Sequence, residues 1–112
     1  MDCLFCKIIN GDIPCSKIYE DDLVLAFNDI DPQAPVHFLV IPKTHIKSVD
    51  EINSENSNLI GHIFEVIAKI AKELNLVDGY RVVTNCGSDG GQSVAHLHFH
   101  ILGKRSLKWP PG

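Results

Sequence analysis

The chain has 112 residues, 21% charged and 45% hydrophobic, with a formal net charge of −4. This is the size of one domain, 1–112, around a single core, and its acidity argues against a general nucleic-acid binder, which needs a basic face. No apolar run approaches the ~20 residues of a membrane span, and the N-terminus lacks the basic and apolar regions of a secretory signal.

The expectation is a cytoplasmic chain with no nucleic-acid or membrane partner. Its four cysteines are then thiols or metal ligands rather than disulfides.

In chain order, residues 1–10 read as a short helix or turn carrying Cys3-Leu4-Phe5-Cys6 and ended by Gly11. Lys17 to Glu20 and Leu23 to Phe27 read as two short strands around an Asp21-Asp22 turn, a hairpin. Asp29-Ile30-Asp31-Pro32-Gln33-Ala34-Pro35 is a turn-rich loop, and Val36 to Ile41 is a third strand closed by Pro42. One long helix follows, with Asn53, Ser54 and Asn56 as candidate N-caps. Its apolar stripe is Leu59, Ile60, Ile63, Phe64, Ile67, Ile70, Ala71 and Leu74, and Asn75 or Gly79 ends it. His62 falls off the stripe and reads as a solvated surface residue. Tyr80 to Asn85 is a fourth strand, Cys86 to Gly91 a turn, and the last strand carries three histidines. A mostly antiparallel sheet of about five strands with one long helix and a short N-terminal one is an α+β architecture.

The chemistry concentrates in Gly90-Gly91-Gln92-Ser93-Val94-Ala95-His96-Leu97-His98-Phe99-His100-Ile101-Leu102. The period of two predicts a strand with Leu97, Phe99 and Ile101 in the core. His96, His98 and His100 then share the other face, about 7 Å apart. The glycines upstream allow close backbone approach, and the amides of Gln92 and Ser93 are expected to point at an anion.

Two classes of chemistry fit these histidines, a metal site or nucleophilic catalysis by imidazole. No carboxylate lies between Gly90 and Arg105 to serve a hydrolytic metal. Glycines, a hydroxyl and amides beside imidazoles suit a phosphate instead: donors for its oxygens, an imidazole to attack phosphorus, and Ser93 to assist a leaving group. An unperturbed imidazole titrates near ~6.5, so such a nucleophile needs no metal or other catalytic cofactor at pH 7.

His96-Leu97-His98-Phe99-His100-Ile101-Leu102 resembles the motif of the histidine triad family, His-φ-His-φ-His-φ-φ with φ apolar. Asp29 to His37, Gly87-Ser88-Asp89-Gly90-Gly91-Gln92-Ser93 and the final Trp109-Pro110-Pro111-Gly112 are similar to its Hint branch, the histidine triad nucleotide-binding proteins. The likeness runs from about Cys3 to Gly112. It implies the HIT-like fold and a purine nucleoside phosphoramidase acting on AMP or GMP derivatives. His98 would attack the α-phosphorus to form a nucleotidyl-histidine, His100 would contact the phosphate, Ser93 would assist the leaving amine, and His37 would belong to the relay behind them. Gly91, Gln92 and Ser93 would hold the phosphate. Asp29, with Ile30 beside it, would accept the ribose hydroxyls, and Asn85 would position the phosphate or leaving group. Phe5, Ile8 and Phe27 would wall the base pocket. Asp29 and Asn85 also suit plain turn roles, and the aromatics plain core.

Cys3-x-x-Cys6 has the knuckle spacing of a zinc site, with His45 and His96 as candidates for the other two ligands; some bacterial histidine-triad proteins carry a similar structural zinc set. A redox pair or ordinary core thiols are the alternatives. The resemblance also implies a homodimer, its sheet continued across the two-fold and the Trp109 tail reaching the partner's site. Lys104 stands where the family often has a second glycine, which bears on the leaving-group side. The functions that compete with phosphoramidate hydrolysis are a nucleotide- and zinc-binding regulatory module with incidental turnover, and dinucleoside polyphosphate hydrolysis.

Overall fold

A computed structural model describes residues 3–112. Its elements are α1 (Leu4–Ile9), β1 (Lys17–Glu20), β2 (Val24–Asn28), β3 (Val36–Pro42), a 3₁₀ turn (Val49–Glu51), α2 (Ser57–Glu73), β4 (Tyr80–Val83), the single turn α3 (Gly87–Gly90) and β5 (Phe99–Gly103). The strands form one antiparallel sheet in the order β1-β2-β3-β5-β4. The α+β architecture expected from the sequence is the one observed.

The central strands are apolar at consecutive positions because both sheet faces are covered. Val24, Ala26, Phe38, Val40, Phe99 and Ile101 pack on one side against Ile63, Val66, Ile67 and Ile70 of α2. Leu25, Phe27, Leu39 and Ile41 pack on the other against Cys3 and Phe5 of the α1 segment. The site lies on this second, thinner side.

Helix α2 begins at Asn56, whose side chain accepts from Asn53 N–H rather than capping its own helix. It ends at Glu73, and Asn75 takes the left-handed φ of +57° that terminates it. The expected stripe holds at its centre. Phe64 and Leu74 are 47% and 38% exposed, although Phe64 still packs edge-on against Phe99 at 5.4 Å.

His62 is not a solvated surface residue. Its Nε2 lies 2.7 Å from Asp21 Oδ2, which also accepts the Tyr19 hydroxyl at 2.9 Å. Asp21 Oδ1 takes the N–H groups of Leu23 and Val24. One carboxylate thus clasps the β1–β2 turn to α2, and these four bonds hold its acid well below the usual carboxylate range against the opposing effect of burial. Asp21→Ala is expected to destabilise the fold by about 1–3 kcal/mol, because it strands several donors at once. Urea unfolding reads this directly, and an unchanged midpoint would show that the clasp carries no stability.

The histidine strand is shorter than its alternation suggests. β5 starts at Phe99, and His96 sits in a bend before it. The β3–β5 ladder ends at Val40 opposite Phe99. Beyond it β3 reaches Pro42, which has no N–H to offer, and Leu97 N–H turns to Ile46 O at 2.6 Å instead. His96 is therefore free to leave the line of His98 and His100.

Candidate active site

Backbone partners assign the ring protons of the histidines. His98 Nδ1 lies 2.6 Å from His96 O, a carbonyl that can only accept. The proton is on Nδ1, and Nε2 carries the lone pair. His37 Nδ1 accepts Gln33 N–H at 3.0 Å. In its neutral ring the proton is then on Nε2, which faces His100 Nδ1 at 2.9 Å and Asp29 Oδ2 at 3.4 Å. His100 Nδ1 accepts, so its own proton sits on Nε2. The result is a lone pair on His98 and a donor on His100, in rings 5.0 Å apart.

These rings open into a cavity of about 400 Å³ on the α1 side of the sheet. Phe5, Ile8, Phe27, Asp29, Ile30, Ser93, His98 and His100 all line it, so most of the expected site residues are brought together. Phe5 stands edge-on to Phe27 at 5.7 Å and to His98 at 5.1 Å. Asp29 does two jobs: Oδ1 takes Asp31 N–H at 2.8 Å in the turn, while Oδ2 faces the relay. Asn28 and the 13–15 segment (Ile13, Pro14, Cys15) also line the cavity. The segment has no motif to mark it and is a wall only because the chain passes there between α1 and β1.

Of the residues expected to bind the nucleotide, three do not line the cavity. Gln92 is held away from it on both its groups: its side-chain amide joins Lys47 O, Val94 O and Gly87 N–H, and its own N–H is taken by Gly87 O. Of the two amides expected to face an anion, only that of Ser93 remains. Gly91, with φ +77°, closes α3 in the left-handed region, and Asn85 packs under Gly90 of that turn. All three shape the loop that presents Ser93. Lys104 does not reach the leaving-group side either, since its ammonium donates to Asn75 O at 2.8 Å.

Burial pushes His100 down to about 4, with the His98 and His37 imidazoles adding to the effect and Asp29 opposing it. An unfolded histidine titrates near ~6.5. Between these values the unfolded chain binds the extra proton, so the contribution of His100 to stability is full above about pH 6.5 and is lost as pH falls towards 4. His96, also pushed down by burial, acts in the same sense. The expected result is a fall in unfolding free energy across this window that is smaller in His100→Gln. Equal slopes for the two proteins would contradict it.

A second cluster lies behind the site. Cys3 Sγ is 3.3 Å from His96 Nδ1, Cys6 Sγ is 3.4 Å from His45 Nδ1, and the two Nδ1 atoms are 3.1 Å apart. All four candidate ligand atoms fall within 4.8 Å of one another. A tetrahedral zinc with bonds of about 2.3 Å to sulfur and 2.0–2.1 Å to nitrogen has ligand–ligand edges of roughly 3.3–3.8 Å. His96 Nε2 donates to Pro42 O at 2.9 Å, which leaves Nδ1 as the free ligand atom and supplies the outer partner that metal-bound histidines need. The donor set fits zinc. Asp29, His37 and His100 also cluster, but Gln33 N–H occupies His37 Nδ1 and so keeps the proton on the Nε2 that a metal would need. That trio is a hydrogen-bond relay.

The family model described as "Scavenger mRNA decapping enzyme C-term binding" matches residues 2–108. An uncharacterized HIT-like protein of Synechococcus elongatus is 53% identical, over 99% of this chain and 97% of that one. Among solved structures, a HIT family hydrolase from Legionella pneumophila superposes with a TM-score of 0.97 at 48% identity, covering 99% of this chain and 100% of that one. A histidine triad nucleotide-binding protein from Candida albicans superposes at 0.84 with 34% identity, covering 97% and 83%.

Proposed function

The chain belongs to the histidine triad (HIT) family, and we propose that within it this protein hydrolyses purine nucleoside 5′-phosphoramidates. The observation that carries this reading is the fixed tautomer of His98, with Nδ1 tied to His96 O at 2.6 Å and the ring in the cavity wall. His98 Nε2 attacks the α-phosphorus, the P–N bond breaks, and the amine leaves with a proton taken from solvent through the Ser93 hydroxyl. The nucleotidyl-histidine carries a positive ring, which His96 O stabilises through the Nδ1 proton. Water then cleaves the new P–N bond and gives its proton back to solvent through the Ser93 hydroxyl, releasing the nucleoside monophosphate and restoring the lone pair. His100 Nε2–H donates to a phosphate oxygen, Asp29 receives the ribose, and Phe5, Ile8 and Phe27 hold the base by apolar contact.

Zinc at Cys3, Cys6, His45 and His96 is part of the proposal. Four protein ligands leave no open position, so its role is structural. A homodimer is also part of it. β4 lies at the end of the sheet with its outer edge open, and Tyr80 on it and Trp109 in the tail are 40% and 80% exposed.

The test is release of AMP from adenosine 5′-phosphoramidate, with mass spectrometry of acid-quenched protein to trap the adduct. Turnover with an adenylyl group on His98 is expected. Absence of release from metal-replete protein that binds AMP would favour the binding-module reading.

A further inference from the structure

We propose that the Cys3/Cys6/His45/His96 centre is a positioning device for catalysis: zinc there sets the tautomer of His98 and the wall of the base cavity. This rests on both the zinc and the hydrolase readings above.

The first link is His96. Its ring is anchored at Nε2 by Pro42 O, and its Nδ1 lies in the ligand cluster. Its carbonyl is the acceptor that keeps the proton of His98 on Nδ1. Residue 96 lies outside β5, so no strand ladder holds that carbonyl in place. What holds it is the ring, together with Leu97 N–H on Ile46 O, one residue from His45. If the carbonyl turns away, His98 is free to move its proton to Nε2, and the atom that would attack phosphorus loses its lone pair.

The second link is the knuckle itself. Phe5 sits between the two cysteines, with its ring 5.1 Å from His98 and 5.7 Å from Phe27. α1 has six residues, too short to hold its shape by helix propensity alone. Ligation at Cys3 and Cys6 would pin its first turn and hence the aromatic wall. A third link runs from Lys47, two residues past His45, whose carbonyl accepts the Gln92 amide beside Ser93. The Phe5 wall, the carbonyl that faces His98 and the loop that presents Ser93 are thus each tied to backbone within two residues of a cluster ligand.

The experiment compares zinc-loaded and chelator-treated protein labelled with ¹⁵N-histidine, using two-bond proton–nitrogen correlations to read each ring's tautomer. Circular dichroism monitors the fold. In the loaded protein His98 is expected in a single Nδ1–H form. In the zinc-free protein it is expected as a mixture of tautomers. kcat for adenosine 5′-phosphoramidate should then fall by roughly ten- to a hundredfold, the range for loss of outer-sphere partners. KM should rise, and zinc should restore both. An identical His98 tautomer and KM in the two states overturns the coupling.

Failure to bind one zinc per chain overturns the zinc reading and this inference with it. A loaded protein without turnover overturns the hydrolase reading, while the spectra still decide the coupling. Should the zinc-free chain unfold, His45→Ala keeps three ligands and binds zinc more weakly, so His98 can be followed through a zinc titration on folded protein. A His98 signal that ignores occupancy there also overturns the inference.

Discussion

His98→Ala is expected to lower phosphoramidate turnover by at least ~10⁴-fold, on the scale seen when a covalent nucleophile is removed. The reason is the absence of a substitute. His100 presents a proton at Nε2 rather than a lone pair, since its Nδ1 is taken by His37, and Ser93 lies on a loop with no base assigned to it. Binding should survive, because the base and ribose contacts belong to Phe5, Ile8, Phe27 and Asp29. AMP affinity is expected to change by less than about tenfold, which corresponds to ~1.4 kcal/mol. The two readouts separate the roles: stopped turnover with retained AMP binding marks a nucleophile, and parallel loss of both marks a structural residue. A variant that keeps its turnover would remove the covalent mechanism.

Phe38→Ala is expected to have the largest effect on stability, about 3–5 kcal/mol. Phe38 is fully buried, and it sits in β3 with Asn28 and Ile101 as cross-strand neighbours. Sheet neighbours on both sides and α2 above prevent the space from collapsing. A loss of that size is a large part of the 5–15 kcal/mol that holds a domain of this kind together. It would also loosen the site, since the adjacent His37 and Leu39 of the same strand face the cavity side. Urea unfolding should show a lower midpoint at unchanged slope. Phe64→Ala is the control: Phe64 is 47% exposed and should cost much less. Equal losses for the two would mean that the core is not organised around β3.

Much of the site was legible in the order of residues. Alternation from Leu97 to Ile101 separates core from cavity correctly, because a strand has only two faces. Phe5, Phe27 and Asp29 were legible through the family resemblance, and the structure places them around His98 and His100. Gln92 was misleading for a physical reason. A glutamine beside glycines offers free donors in sequence, but both ends of its side-chain amide are taken up, the NH2 by Lys47 O and Val94 O and the carbonyl by Gly87 N–H, partners up to 45 residues away. His62 failed in the same way, since its position off the stripe says nothing of an Asp21 arriving from the β1–β2 turn.

Local pattern by itself determined the α+β class, the long helix with its central stripe, the strands and the Cys-x-x-Cys knuckle. These follow from periodicities of 3.6 and 2 and from turn residues, which act over a few positions. Tertiary structure alone decided which ring nitrogen of each histidine carries its proton. It sent His96 towards Cys3 and left His98 facing the cavity, because the β3–β5 ladder stops at Phe99 and Pro42 follows on β3. Proton placement depends on hydrogen-bond partners brought from 4 to 63 residues away in the cases of Gln33 with His37 and of His37 with His100. No spacing rule in the chain encodes such partners; only the folded register supplies them.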